Sequence, residues 1–299
     1  MAILVDHKTN VLVQGITGTE GSRAVKEMLL YGTTVVAGVT PGKGGQKVEK
    51  VPVYNSIKEA LKKHPEINTT LVAVPPMFVK DAILEAVASR IPLINVLTEK
   101  VPVADIAYCF AAAQRMGVRI VGPSSVGIIS PGKAKVGAIG AAELVDRVFK
   151  AGVVGVISKS GGMTAEISRI LTEAGLGQST AVGIGGEVLL GSDFVDLARL
   201  FEADRQTKVI VIFGEVGGPY EELLAEAMTA GEITKPVVAL IAGGFSTKLP
   251  SGTVLGHAGA IVSAGKGSAE SKIRALTKAG ARIAKSPEDI PKLVKKMLG

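Results

Sequence analysis

Asn10-Val11-Leu12-Val13-Gln14-Gly15-Ile16-Thr17-Gly18-Thr19-Glu20-Gly21 is the stretch on which the fold turns. The apolar run up to Gly15 reads as a buried strand, and Ser22-Arg23-Ala24-Val25-Lys26-Glu27-Met28-Leu29-Leu30 reads as a helix. Strand, glycine loop and helix together form a cradle in which backbone N–H groups and a helix N-terminus face an anion. The glycine spacing is G-x-x-G-x-x-G, whereas the dinucleotide fingerprint is G-x-G-x-x-G. The second strand, Thr34–Thr40, also lacks the terminal Asp or Glu that would take a ribose hydroxyl. It runs into Pro41-Gly42-Lys43-Gly44-Gly45, and a lysine among glycines suits a phosphate. The first unit is therefore expected to bind a phosphorylated ligand other than NAD, which argues against a nicotinamide oxidoreductase.

Outward from this stretch the alternation of strand and helix continues. Helix 56–64, strand 69–75, helix 78–89, strand 92–97, helix 103–116 and strand 118–123 complete five strands of a doubly wound, Rossmann-like unit. Residues 124–150 read as a Gly/Pro-containing loop and a short helix, and the boundary is expected at 148–152, giving units 1–150 and 151–299. The pattern then restarts with strand 153–158, which opens into Lys159-Ser160-Gly161-Gly162 and a helix over 163–174, a second helix N-terminus ready for an anion. Strand 181–186, helix 192–204, strand 209–213, helix 219–230 and strand 236–241 follow. A helix at 269–279, a short strand and a helix from Pro287 close the chain.

Composition bounds the class. At 299 residues, two α/β units with ample cores are expected. No apolar run nears the ~20 residues of a membrane span, and no signal-peptide pattern opens the sequence. The single cysteine, Cys109, leaves no internal disulfide and suits a reducing compartment, so a cytoplasmic protein without membrane attachment is expected. The net charge of +7 is dispersed and aromatics make up only 4%, which argues against nucleic acid as a partner.

One of the three histidines stands apart. His7 lies in a charged lead and His64 ends a polar helix, but His257 lies in Gly256-His257-Ala258-Gly259-Ala260 with little bulk around it. An imidazole in such a place can act as a nucleophile, for which phosphate is a natural cargo, or simply cap a turn. Strand 209–213 delivers Gly214-Glu215-Val216-Gly217-Gly218 at its carboxyl end. The fold should bring Ser160, Glu215 and His257 to one rim, where a carboxylate would orient the imidazole.

Five segments then carry a family resemblance: Gln14–Gly18, Gly38–Gly45, Gly183-Ile184-Gly185-Gly186, Gly214–Gly218 and Gly256–Ala260. Over essentially its whole length the chain resembles the α subunits of the succinyl-CoA synthetase family, the NDP-forming carboxylate–CoA ligases. The resemblance implies a Rossmann-like CoA-binding domain followed by a flavodoxin-like ligase domain. It implies CoA contacts from Thr17, Gly18, Thr19, Glu20, Lys43, Leu97, Thr98 and Glu99, a phosphohistidine at His257, and Glu215 as its partner. It further implies an ATP-grasp β subunit that carries the ATP or GTP site and the Mg²⁺, with no metal held by this chain. Some motifs depart from the succinate pattern Ser-Gly-Thr-Leu-Thr-Tyr-Glu: here Ser160-Gly161-Gly162-Met163-Thr164-Ala165-Glu166 puts Ala165 at the tyrosine position. Ser124-Ser125 after Gly122-Pro123, and a longer loop with Ser246, Thr247 and Lys248 before His257, depart likewise. These departures resemble the matching module of ATP-citrate lyase, and hence the small subunit of a citryl-CoA synthetase. Citrate is accordingly the expected acid, with succinate the alternative and a non-catalytic CoA-binding regulator a remoter one. Ser160, Gly161, Gly162, Ala165, Ser124 and Ser125 are the expected acid- and phosphate-facing residues.

Overall fold

A computed structural model describes residues 2–141, 143–244, 257–260 and 267–299. Strands β1 (Asn10–Gln14), β2 (Thr34–Val39), β3 (Lys47–Val48), β4 (Val51–Tyr54), β5 (Thr69–Val72), β6 (Leu93–Val96) and β7 (Arg119–Val121) form a seven-stranded sheet ordered β3-β4-β2-β1-β5-β6-β7. All neighbours are parallel except β3 against β4. Helices α1 (Thr19–Leu30), α2 (Ile57–Lys63), α3 (Val79–Ala88) and α4 (Val103–Met116) connect them. Alternate residues of β1 serve opposite faces, as the pleat dictates. Val11 and Val13 pack with Val25 and Met28 of α1, and Leu12 packs with Ile83 and Ile106 of α3 and α4. Strand order reverses between β1 and β5, so the crevice at their carboxyl ends is the ligand position of such a sheet.

All five expected strands of this unit are present, and β3 and β4 are additional. Pro52 within β4 and the two-residue length of β3 obscured them, since proline marks only sheet edges or bulges and two residues carry no period. Helix α1 begins at Thr19, three residues before its expected start, with Gly18 as the residue ahead of its first turn.

The second sheet is ordered β14-β13-β12-β10-β11-β8-β9. It contains β8 (Gly127–Ser130), β9 (Ala134–Gly137), β10 (Ala151–Ser158), β11 (Gln178–Gly183), β12 (Val209–Glu215), β13 (Val237–Ala242) and β14 (Arg282–Ile283). The five strands from β10 onward are parallel in flavodoxin-like order. Their helices are α6 (Gly161–Glu173), α7 (Phe194–Ala203), α8 (Tyr220–Thr229), α9 (Ala269–Lys278) and α10 (Asp289–Leu298), after a one-turn α5 (Val145–Val148).

The stretch expected to be loop, 124–150, instead supplies a hairpin. Strand β8 pairs antiparallel with β11 and with β9, so the second sheet takes its first strands from before the expected boundary at 148–152. Two short apolar runs around Ser130-Pro131-Gly132 read as a loop because each is too brief to carry a period. Buried Ile128 and Val136 join the same core as Val11 and Met28. Buried Lys135 of β9 contacts Glu27 of α1 at 3.1 Å and donates to Gly140 O at 2.6 Å, while the hydroxyl of Thr33 donates to Lys135 O. The hairpin therefore grips the helix whose other end faces the first crevice.

Candidate functional site

The glycine loop after β1 is built by close approach. A Cβ on Gly21 would lie 2.2 Å from Gly15 O, and Gly15 itself is left-handed at φ +79° with Ala73 O 2.6 Å from any Cβ. Only glycine admits this geometry, and it presents the start of α1 to a crevice of about 560 Å³. Gln14, Gly15, Thr17, Gly18, Thr40, Pro41 and Phe78 are among the residues lining it. Thr17 and Thr40 share a hydroxyl hydrogen bond of 3.1 Å at its mouth. Lys43 is exposed on a loop that Asn55 holds: Asn55 Oδ1 accepts the N–H groups of Gly42 at 2.9 Å and Gly44 at 3.0 Å. A second cavity of about 540 Å³, lined by Gly18, Thr19, Glu20, Val74, Pro75, Leu97, Thr98 and Glu99, shares the α1 N-terminus with the first. A long ligand with an anionic end and a slender arm fits this pair of cavities. Thr17, Gly18, Thr19, Glu20, Leu97, Thr98 and Glu99 thus lie along one path ending at Glu99, and Lys43 lines neither cavity.

Beyond Glu99, at that end of the path, stands the histidine. Strand β12 ends in Glu215, whose Oε2 lies 2.7 Å from His257 Nδ1. With the carboxylate as acceptor, the neutral imidazole carries its proton on Nδ1 and keeps the lone pair on Nε2. The Glu215 hydrogen bond holds the His257 pKa above its ordinary value of 6.5 against partial burial; the charges of Glu215 and Glu99 add to the rise and Lys159 opposes it. Glu99, from the first unit, and Lys159, at the β10–α6 junction, therefore both stand close enough to act on the ring. Gly186 is the floor beneath it: a Cβ there would lie 2.5 Å from His257 Cγ. Gly186 O also accepts the N–H of Gly259 at 2.9 Å, fixing the loop that carries the imidazole.

Residues 6–100 match the family model described as CoA binding domain, and residues 157–282 match the one described as CoA-ligase. Succinate–CoA ligase [ADP-forming] subunit alpha 2 of Archaeoglobus fulgidus is 47% identical over 298 residues, covering 100% of both chains. The chain belongs to the CoA-ligase family. An ADP-forming sulfoacetate–CoA ligase subunit of Bilophila wadsworthia is 42% identical over 299 residues, again covering 100% of both. The ATP citrate lyase structure from Methanothrix soehngenii, in complex with citrate and coenzyme A, superposes with a TM-score of 0.92 at 28% identity over 99% of this chain. This ligase chain spans about half the length of that one, at 50%.

The expected acid-facing residues of the ligase divide. Gly162 is exposed at the start of α6 with open space where a Cβ would stand, and Gly161 packs under Val126. The Ser160 hydroxyl caps α6, accepting from Met163 N at 3.4 Å. Ala165 is half-buried against the outer core of the second sheet. Ser125 is not available as a donor to a substrate. It is fully buried, its hydroxyl donates to Gly183 O at 2.6 Å, and it accepts from Asn95 Nδ2 and Gly127 N. It bolts β6, the linker and β11 together. Ser124 donates to Glu99 Oε1 at 3.3 Å. Ser246, Thr247 and Lys248 lie outside the described residues.

Sequence reasoning missed Asn55, Gly186 as the floor of the imidazole, and a buried cluster of Lys159, Glu221 and Lys272 behind Glu215. Lysines and glutamates at 159, 221 and 272 look like solvated surface in sequence. The one available signal was Lys159 at a strand's carboxyl end, between Ser158 and the capping Ser160.

Proposed function

We propose that this ligase chain is the α subunit of an ADP-forming acid–CoA ligase that takes a phosphoryl group on Nε2 of His257 and passes it to a small polycarboxylate. Citrate is the acid we favour. The observation that carries the reading is the 2.7 Å contact between Glu215 and His257 Nδ1, which leaves Nε2 as the free nucleophilic nitrogen. Phosphoryl transfer needs positioning and charge neutralisation more than proton chemistry. The N-terminus of α6 at Gly161-Gly162 supplies an anion-ready dipole.

The sequence of steps balances. His257 Nε2 attacks the terminal phosphorus of ATP and ADP leaves. A carboxylate oxygen of the acid then takes the phosphoryl group, restoring the imidazole and giving an acyl phosphate. Thioester formation with CoA releases inorganic phosphate. Thr17, Gly18, Thr19, the backbone N–H of Glu20 in the first turn of α1, and Lys43 would hold the CoA phosphates, and Leu97, Thr98 and Glu99 the arm that ends at the acyl carbon. The nucleotide and Mg²⁺ would come from an ATP-grasp β-type partner, in keeping with relatives named as α subunits of ADP-forming ligases.

For the acid, the support is the open first turn of α6 at Gly162, the short Ala165, and the likeness to an enzyme solved with citrate. The second reading is succinate, favoured by the 47% identity to a succinate–CoA ligase subunit across the whole chain. A non-catalytic CoA-binding role is disfavoured by the Glu215–His257 pair, which such a protein would not need. Reconstituted with its β-type partner and Mg-ATP, the chain should take up one acid-labile, base-stable phosphoryl group, and His257→Asn should abolish uptake while leaving CoA binding intact. Label persisting in His257→Asn would defeat the phosphohistidine assignment. Citrate should support thioester formation faster than succinate or sulfoacetate at equal concentration; turnover of either competitor with none of citrate would overturn the choice of acid.

A further inference from the structure

Behind Glu215 lies a charged cluster that the chemistry above does not use. Lys159 is 3% exposed, and Glu221 of α8 and Lys272 of α9 are wholly buried. Glu221 Oε1 stands 3.2 Å from Lys159 Nζ, and its other oxygen is paired with Lys272 Nζ. Ammonium groups and carboxylates are costly to remove from water, and a buried ion pair commonly stabilises no better than apolar side chains of similar volume. The contacts of this cluster point to what it does instead.

They converge on the turn that carries Glu215. Glu221 Oε1 accepts the backbone N–H of Glu215 at 3.1 Å. Lys272 Nζ donates to Gly217 O at 3.0 Å and to Gly218 O at 2.8 Å, and Lys159 Nζ reaches Gly217 O at 3.4 Å. Gly217 and Gly218 are both left-handed, at φ +90° and +63°, which lets two successive residues aim their carbonyls at the same ammonium group. A Cβ on Gly214 would stand 2.5 Å from Glu221 Oε1, so the carboxylate lies directly against the strand end. Two helices, α8 and α9, and the β10–α6 junction thus grip one short turn from its inner side. The outer side of that turn presents the Glu215 carboxylate to His257.

We infer that Lys159, Glu221 and Lys272 form a positioning device for the histidine half-reaction, holding the Glu215 turn from behind so that its carboxylate stands where the imidazole requires it. None of the three touches His257 by a hydrogen bond among the described residues; Glu221 and Lys272 act through the Glu215 turn, and Lys159 adds its charge to the same hold. The inference rests on the proposed phosphohistidine function for its meaning, but its geometry can be tested without nucleotide or partner. Lys272 is the discriminating member. Removing its ammonium frees the carbonyls of Gly217 and Gly218 and the Glu222 carboxylate 3.3 Å away, yet leaves Lys159 paired with Glu221.

The test is Lys272→Met in the full chain, read in two ways. First, the His257 imidazole is titrated by NMR, its signal assigned by its loss in His257→Asn. The groups facing it are Glu215 from β12, Glu99 from the loop after β6, and Lys159 from the β10–α6 junction. With the turn loosened, the His257 pKa should fall toward its ordinary value, whereas a merely structural lysine would lower thermal stability and leave that titration in place. Second, with the β-type partner and Mg-ATP, phosphoryl uptake should slow at least tenfold while CoA affinity stays at the wild-type level. A folded Lys272→Met with wild-type titration and wild-type uptake would overturn the inference. Should Lys272→Met not fold, Glu221→Asp decides by the same readouts, since the shorter carboxylate keeps its charge but cannot span both Lys272 and the Glu215 N–H. Wild-type chain that takes up no phosphoryl, while Lys272→Met still shifts the titration, would refute the proposed function and leave the positioning role standing.

Discussion

Gly186→Ala isolates the geometry of the histidine from everything else the chain does. The Gly186 backbone is outside the left-handed region, so alanine suits it locally and would ordinarily stabilise by about 0.4–1 kcal/mol through the unfolded chain. The new methyl, however, would lie 2.5 Å from His257 Cγ and 2.7 Å from Nδ1. An ordinary carbon contact is about 3.5–4.0 Å, so the ring must retreat by roughly 1 Å. The Glu215–His257 bond of 2.7 Å then stretches or bends past useful geometry. A misplacement of about 1 Å at a reacting group can cost on the order of 100-fold in rate. The expected outcome is a folded chain with unchanged CoA affinity by calorimetry and phosphoryl uptake slowed about 100-fold. Quenched-flow labelling with ³²P-ATP and the β-type partner measures it. Uptake at the wild-type rate in Gly186→Ala would show that the imidazole has no need of this floor, and the reasoning would fail.

Four further outcomes are expected. Lys43→Glu should weaken CoA binding by roughly 1–3 kcal/mol through a lost charge-assisted bond. Asn55→Ala should weaken it less, by freeing the Gly42 and Gly44 N–H groups that order the loop, with phosphoryl uptake untouched in both; calorimetry and labelling separate the two. Ser125→Ala leaves Gly183 O, Asn95 Nδ2 and Gly127 N short of a partner in a buried seam and should cost about 1–3 kcal/mol of stability in urea unfolding. The His257 pKa is raised in the folded chain, so the Glu215 pairing contributes stability that is fully present below the unfolded value of 6.5 and lost as pH rises through the folded value. Melting curves of wild type and Glu215→Gln should therefore lie furthest apart below the unfolded value of 6.5 and converge as pH rises past the folded value, while wild-type phosphoryl uptake rises with pH over the same window as the neutral imidazole accumulates.

Most strands and helices of both units announce themselves in sequence because their apolar runs are long or regular, as in Val209-Ile210-Val211-Ile212-Phe213 and the alternating faces of β1. The Glu215–His257 pair was readable for a different reason: Glu215 stands among glycines at the end of β12 and His257 among small residues, and each is a lone titratable side chain with little bulk around it. The hairpin β8–β9 was not readable, since its strands hold four residues each and take their burial from β11 and α1, far away in sequence. Ser125 misled because a serine after Gly-Pro looks exposed, and only the folded chain shows its hydroxyl saturated on both sides. Lys159, Glu221 and Lys272 misled in the same way, as charged residues whose partners lie 51 to 62 positions apart in sequence. Long-range pairing is invisible to any local pattern.

The hairpin has a practical bearing on how this chain can be divided. A fragment ending near residue 150 would carry β8 and β9 away from the sheet they complete, leaving the edge of β11 uncovered on one piece and an orphaned ribbon on the other. Bare strand edges recruit other chains, so both pieces would be expected to aggregate. A cut between Val121 and Gly127 keeps each sheet whole, but it severs the segment holding Ser125 and strips α1 of its grip on Lys135. Neither cut frees a self-sufficient half. Any attempt to graft the ligand-binding portion onto another protein would have to carry the hairpin with it and cover the edge that β11 no longer pairs.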